Sequence, residues 1–277
     1  MKLYKLKQDA LVEHEGNHYP LPGADWDDLV NDDNILQTLA GRIRGQKPVR
    51  DALSLLGEVD APMQGQELWA SGVTYERSRQ GRQEESQKSG GADFYARVYE
   101  AERPELFFKA NRHRVVGHGG KVRIRKDSAW DVPEPELVLV VTRSGKIIGY
   151  SIGNDMSSRS IEGENPLYLP QAKCYDGCAA LGPCIYLRDR PLPRETRIEL
   201  AIHRAGKRVF GGEIEISRIR RGFEELVGFL YRECSFPQGA LLMTGTGIVP
   251  GSDFTLQSGD DIAITIACIG TLRNQVA

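Results

Sequence analysis

No stretch of this 277-residue chain reaches about 18 uninterrupted apolar residues, so no helix is expected to span a membrane. Neither sign of charge dominates: 36 Lys+Arg stand against 38 Asp+Glu, a formal net charge of -2. That balance gives no pull towards a phosphate backbone or an anionic membrane, so neither nucleic acid nor membrane is an expected partner. The N-terminus, MKLYKLKQDALVEHEG, alternates charged and apolar residues and lacks a signal-peptide core. Cysteines are few and odd in number: Cys174, Cys178, Cys184, Cys234 and Cys268. Without a secretion signal they read as free thiols, mostly buried, in a reducing cytoplasm. Three residues separate Cys174 from Cys178 and no second pair matches them, which argues against a zinc site. Internal repeats and low-complexity tracts are also missing.

What is present is ordinary soluble-protein composition, 40% hydrophobic and 27% charged. The pattern predicts a small N-terminal α+β domain over residues 1–65 and a larger, mainly β domain over 66–277. The first part holds a strand at Lys2 to Leu6 and another near Val12 to Tyr19. A helix is expected from Asp25 to Ala40, with Asp25 as N-cap. Beyond residue 66, alternation predicts strands at Val122 to Arg125, Arg197 to His203 and Asp261 to Cys268. Leu137 to Val141 and Lys146 to Ile152 flank Ser144-Gly145, a hairpin turn. Helices are expected at Ala92 to Glu102 and Ile219 to Arg232. Many strands in hairpin succession with few helices indicate an α+β, mainly β fold.

The segment Trp130-Asp-Val-Pro-Glu-Pro-Glu-Leu carries the most chemistry. Glu134 and Glu136 are two apart on a strand, so both carboxylates leave the same face. Pro133 and Pro135 remove two backbone donors, which rules out an ordinary central ladder there. Like charges held side by side repel, and a hard divalent cation relieves them. Gly153-Asn154-Asp155 is expected to turn sharply and aim Asp155 back at the same strand end, making a third oxygen ligand. Three carboxylates suit Mg²⁺, Mn²⁺ or Ca²⁺ better than zinc. Taken separately, each of these residues also fits a solvated strand end or a turn. His113 and His118 have no partnering carboxylates and read as surface residues.

Together, Gly72-Val-Thr-Tyr75, Phe107-Phe-Lys109, Glu134-Pro-Glu136, Asn154-Asp155 with Arg159, Gln171-Ala-Lys173, Leu181-Gly-Pro183 and Thr244-Gly-Thr-Gly247 resemble the fumarylacetoacetate hydrolase superfamily. The resemblance covers Leu68 to Ile269. It implies a mixed β-sandwich roll as the catalytic domain and a homodimer or higher homo-oligomer. It also implies a metal held by Glu134, Glu136 and Asp155, an active-site lysine at Lys173, and a substrate-carboxylate contact from Thr246. Lys109, Arg159 and Ser78 are further substrate-binding candidates.

Where many family hydrolases carry Asn-Tyr-x-x-His-x-x-Glu to activate water, this chain has Thr74-Tyr75-Glu-Arg-Ser78-Arg-Gln-Gly81. The missing pair argues against C–C hydrolysis. The segments at 101–109, 132–137 and 158–173 are similar to the family's sugar-acid branch, of the 2-keto-3-deoxy-D-arabinonate dehydratase type. The expected substrate is a small 2-oxo acid whose enolate is stabilised by the cation acting as a Lewis acid. A base takes the C3 proton, the C4 hydroxyl leaves as water, and 2-oxoglutarate semialdehyde results after tautomerisation. Lys173 is the candidate base, with a glutamate as the alternative. Hydrolysis of acylpyruvates or diketo sugar acids and decarboxylation of oxaloacetate are the competing readings, and a non-catalytic binding scaffold is the one outside enzymes. The charged stretch Glu76 to Gly91, with Arg77, Glu84 and Glu85, reads as a lid or as a solvated loop or helix.

Overall fold

The chain opens with β1 (Lys2–Lys5), β2 (Ala10–His14) and β3 (Asn17–Leu21). The strand expected over 12–19 is split because Glu15 and Gly16 both take positive φ (52° and 77°), a backbone pair suited to a tight hairpin. Asp25 caps the next helix, its side chain accepting from the Asp28 N–H at 3.0 Å. That helix does not run to Ala40 but divides into α1 (Trp26–Val30) and α2 (Ile35–Ile43). The intervening Asn31-Asp32-Asp33-Asn34 offers side chains that compete with the helical ladder. Asn31 Nδ2 donates to Asp27 O at 2.9 Å, and Asp32 Oδ1 accepts from the Asn34 N–H at 2.7 Å. A short α3 (Ala52–Leu56) completes this part.

A computed structural model describes residues 1–86 and 92–277, apart from the side chains of 84–86 and 92–94. After α3 come β4 (Glu67–Gly72), α4 (Glu76–Ser86), α5 (Ala92–Glu100), β5 (Glu105–Ala110), β6 (Val115–Val116) and β7 (Lys121–Val122). The strand expected at 122–125 ends at Val122, and Arg125 instead forks onto Asp127 at 2.8 and 2.6 Å in a loop. The central hairpin is β8 (Asp131–Val141) and β9 (Ile147–Ser158), and its turn includes Gly145 at φ 84°. Next are α6 (Arg159–Glu164), α7 (Leu169–Lys173), β10 (Ala179–Leu187), β11 (Arg197–Arg204) and β12 (Lys207–Glu215). Last come α8 (Phe223–Leu230), β13 (Ala240–Met243), β14 (Asp261–Ile266) and β15 (Gly270–Val276). α8 starts later than Ile219 because Gly222 is extended (ψ 146°), its N–H held by Glu225 Oε2 at 3.2 Å.

Among the described residues the strands form two sheets. The larger runs β3-β2-β1-β10-β9-β8-β13-β4-β5, with β6 also on β10; the smaller runs β12-β11-β14-β15-β7. β1 pairs antiparallel with β10, Leu3 opposite Ile185, so a backbone ladder joins residues 1–65 to the rest. Period-2 alternation sets the layers. Leu137, Leu139 and Val141 share one core with Ile198, Leu200, Ile202, Ile262, Ile264 and Ile266 of the smaller sheet. Val138 and Val140 belong to the other core, with Trp26, Leu29 and Leu39 of the N-terminal helices. Each such buried side chain contributes about 1.5–3 kcal/mol, so both layers hold β8 and β9 firmly. On the face of β8 that carries Val138 and Val140, the next positions towards its N-terminus are Glu136 and Glu134. α4, α6 and α7 gather around that end.

Candidate active site

Glu134 lies directly across from Asp155 in the β8–β9 ladder, and Glu136 across from Gly153. The turn expected at Gly153-Asn154-Asp155 does not occur: β9 continues to Ser158, and strand register alone brings Asp155 to the glutamates. Glycine is needed at 153 for room. A Cβ there would lie 2.7 Å from both Met243 Cε and Val138 Cγ2. Gly153→Ala is therefore expected to lower stability by about 1–3 kcal/mol, read by urea unfolding. An unchanged midpoint would mean the layer has slack.

The two prolines fit a one-sided ladder. β13 pairs only with Val138 to Val141, so β8 extends past it at Pro133 and Pro135. On the other side, Met156 lies opposite Pro133 but sends its N–H to Cys178 O at 3.0 Å. The missing proline donors therefore cost no observed ladder bond.

Glu134, Glu136 and Asp155 are all buried, and one carboxylate oxygen from each lies within 4.8 Å of the others. Their compensation is uneven. Glu134 Oε1 accepts from Arg159 at 2.9 Å and Oε2 from Lys173 Nζ at 2.6 Å. Asp155 Oδ2 accepts from Lys173 at 3.1 Å, and its Oδ1 is 2.5 Å from Lys109 Nζ. Glu136 Oε2 accepts the Gly245 N–H at 2.5 Å. Burial would raise the Asp155 pKa, but Lys109 and Lys173 outweigh it and hold the carboxyl below its usual range. For Glu136, burial followed by the charges of Asp155 and Glu134 pushes the pKa well up, with only a partial offset from Lys173. Three hard oxygen donors and a shortage of positive charge at Glu136 fit a divalent cation held by these residues.

The helices aim the remaining groups. Ser158 caps α6, its Oγ accepting from the Ile161 N–H at 3.4 Å, which sets Arg159 in the first turn. Lys173 ends α7, is fully buried, and also donates to Ser157 Oγ at 2.5 Å. Ser78 donates to Tyr75 O at 2.7 Å and accepts its N–H at 3.1 Å, so its hydroxyl secures the start of α4. Thr246 Oγ1 accepts from the Ile248 N–H at 3.2 Å. Ser78, Arg159, Lys173 and Thr246 line one cleft with the three carboxylates, Gly72, Val73, Phe107 and Gly245. Lys109 is packed behind that cleft.

Three charged side chains escaped the sequence reading. Arg82 also lines the cleft and forms a buried ion pair with Glu162. Glu105 approaches the backbone of Gly72, and its buried Oε2 has no hydrogen-bond partner. Periodicity held a signal for each: Arg82 is i+4 from Ser78, Glu162 is i+3 from Arg159, and Glu105 shares the strand face of Phe107. His118 Nδ1 accepts from the Arg273 N–H at 3.2 Å. Among the described residues, the three carboxylates are the one group able to hold a metal, and all five cysteines are free. The stretch expected as a lid is helical over Glu76–Ser86; the Glu84 and Glu85 side chains and residues 87–91 lie outside the described residues.

Comparison with known proteins places this arrangement. The family model for the fumarylacetoacetate (FAA) hydrolase C-terminal domain matches residues 80–277. A protein of Haloferax volcanii named probable 2-keto-3-deoxyxylonate dehydratase is 44% identical over 275 residues, covering 96% of this chain and 94% of its own. The 2-dehydro-3-deoxy-D-arabinonate dehydratase of Saccharolobus solfataricus is 46% identical over 220 residues, covering 79% and 74%. A solved 2-keto-3-deoxy-D-arabinonate dehydratase complexed with magnesium and 2,5-dioxopentanoate superposes with a TM-score of 0.84 at 36% identity, covering 100% of this chain and 98% of that one. Its apo form gives 0.85 with the same identity and coverage. With the family model spanning most of the chain and relatives this similar over nearly its whole length, the protein belongs to the fumarylacetoacetate hydrolase family.

Proposed function

We propose that this protein is a divalent-metal-dependent hydro-lyase that dehydrates a 2-keto-3-deoxy sugar acid of the arabinonate or xylonate type to 2-oxoglutarate semialdehyde. The observation that carries the reading is the buried Glu134–Glu136–Asp155 cluster with Lys173 reaching two of its members. Mg²⁺ is the proposed ion, because the related dehydratase structure holds magnesium together with 2,5-dioxopentanoate, the same semialdehyde. When bound, such an ion supplies Lewis-acid stabilisation of the charge that develops on the 2-oxo group. The protein's own groups then manage protons and orientation. Lys173 Nζ is the group proposed to take the C3 proton and to deliver one as the C4 hydroxyl departs as water. The 5-hydroxy-2-oxo-3-enoate so formed becomes the semialdehyde by tautomerisation, losing a proton at C5, regaining one at C3 and ketonising the resulting enol. Thr246 and Arg159, on the cleft wall, are proposed to orient the substrate's polar groups. Glu105, whose buried Oε2 has no hydrogen-bond partner, is the alternative proton acceptor.

The hydrolase alternative finds less support. At the position of the water-activating histidine, the Ser78 hydroxyl is engaged with the backbone of Tyr75. No described helix is long and apolar enough to cross a membrane. A cytoplasmic homo-oligomer is part of the same proposal.

The test is turnover of the 2-keto-3-deoxypentonate epimers with Mg²⁺ or Mn²⁺ and with chelator, following the semialdehyde. Metal-dependent release is expected. Cleavage of an acylpyruvate with no pentonate dehydration would return the enzyme to the hydrolases.

A further inference from the structure

Lys109 was expected at the substrate, yet its side chain has no exposure at all and does not reach the cleft wall. Its ammonium has three N–H groups and meets three oxygens. Nζ donates to Met156 O at 2.9 Å and to Lys173 O at 2.5 Å, and lies 2.5 Å from Asp155 Oδ1. Behind it the Tyr175 ring closes the space, 5.9 Å from Nζ to the ring centroid, with Arg125 also against that ring at 5.6 Å. One buried charge thus ties β5 to β9 and to the last residue of α7. Lys173 also meets three oxygens but lines the cleft, whereas Lys109 lies off the cleft wall and is not placed to meet a substrate.

We infer that Lys109 is a positioning residue, which fixes the Asp155 carboxylate from behind and anchors the backbone that presents Lys173. Asp155 is held on both sides: Oδ1 by Lys109 and Oδ2 by Lys173. Without Lys109, one oxygen of a buried carboxylate loses its partner and the end of α7 loses its tie to the sheet. Asp155 then turns more freely, and the cluster it forms with Glu134 and Glu136 is less well prepared for a cation. The inference rests on the metal reading above, and the experiment separates the two.

Lys109→Met and Lys109→Gln are compared with the wild type for Mn²⁺ affinity by electron paramagnetic resonance, without substrate, and then for kcat and KM. Residues that orient a metal's ligands typically change affinity by about 10–100-fold, and a weakening of that size is expected in Lys109→Met, with Lys109→Gln intermediate. kcat should fall while KM for the 2-oxo acid holds, since no uniform substrate contact is removed. Unchanged Mn²⁺ affinity with a raised KM would overturn the inference and restore Lys109 as a substrate ligand. Failure of the wild type to bind Mn²⁺ would overturn the metal reading and this inference with it. A measurement on the wild type needs no variant to fold. Reductive methylation mapped by mass spectrometry should leave Lys109 unmodified with or without 2-oxo acid; labelling that the acid blocks would overturn the inference.

Discussion

Glu136→Gln should abolish metal-dependent turnover and, with chelator present, make the folded protein more stable. The first effect follows from removing one of three carboxylate ligands. Loss of several kcal/mol of Lewis-acid stabilisation corresponds to a fall on the order of 10³-fold or more in kcat/KM. The second follows from burial. Glu136 is desolvated beside Asp155 and Glu134, so its pKa stands well above the ordinary glutamate value of 4.5. The sign is set by proton counting. From about the ordinary value upward the native state holds a proton that the unfolded chain has released, so stability falls as pH rises through that window. Glutamine cannot ionise and removes that slope. Melting curves of both proteins in chelator at several pH values above 4.5 would check it, alongside Mn²⁺ titration. A variant that binds Mn²⁺ like the wild type, or melts lower at every pH, contradicts the assignment of Glu136.

Lys173→Met carries the second large effect. If the Lys173 amine takes the C3 proton, its loss should lower kcat by about 10²–10⁴-fold. Metal binding should survive, because Glu134 keeps Arg159 and Asp155 keeps Lys109. For the same reason, destabilisation should fall short of the roughly 3–5 kcal/mol typical when a buried charge loses its partner. Steady-state kinetics of Lys173→Met beside Glu105→Gln separates the two proton acceptors. A Lys173→Met enzyme within tenfold of wild type, beside an inactive Glu105→Gln enzyme, would move the base to Glu105.

The two largest effects fall on groups that were legible to different degrees. Glu134 and Glu136 could be read from strand period alone, since i and i+2 share a face whatever the sheet does next. Asp155 was found for the wrong local reason: Gly153 and Asn154 look like turn residues, but the glycine makes room for Met243 and Val138. Lys173 and Arg159 were legible only through family resemblance, because a lone lysine or arginine carries no sign of being buried. Arg82, Glu105 and Glu162 had periodic signals that nothing in the local sequence distinguished from a solvated face.

By itself the sequence determined the mainly β class, the β8–β9 hairpin with its turn at Ser144-Gly145, and the pairing of two glutamates on one strand face. Those follow from residue type and short-range period, whereas the absence of the usual water-activating pair was legible through the family resemblance. Only the tertiary structure decided the rest. The β8–β9 register sets Asp155 opposite Glu134 rather than one residue along, which would have pointed it into the other layer. Packing against the sheet buries Lys109 so completely that its ammonium spends its bonds on backbone and Asp155. Register and burial depend on partners distant in the chain, and local pattern contains neither.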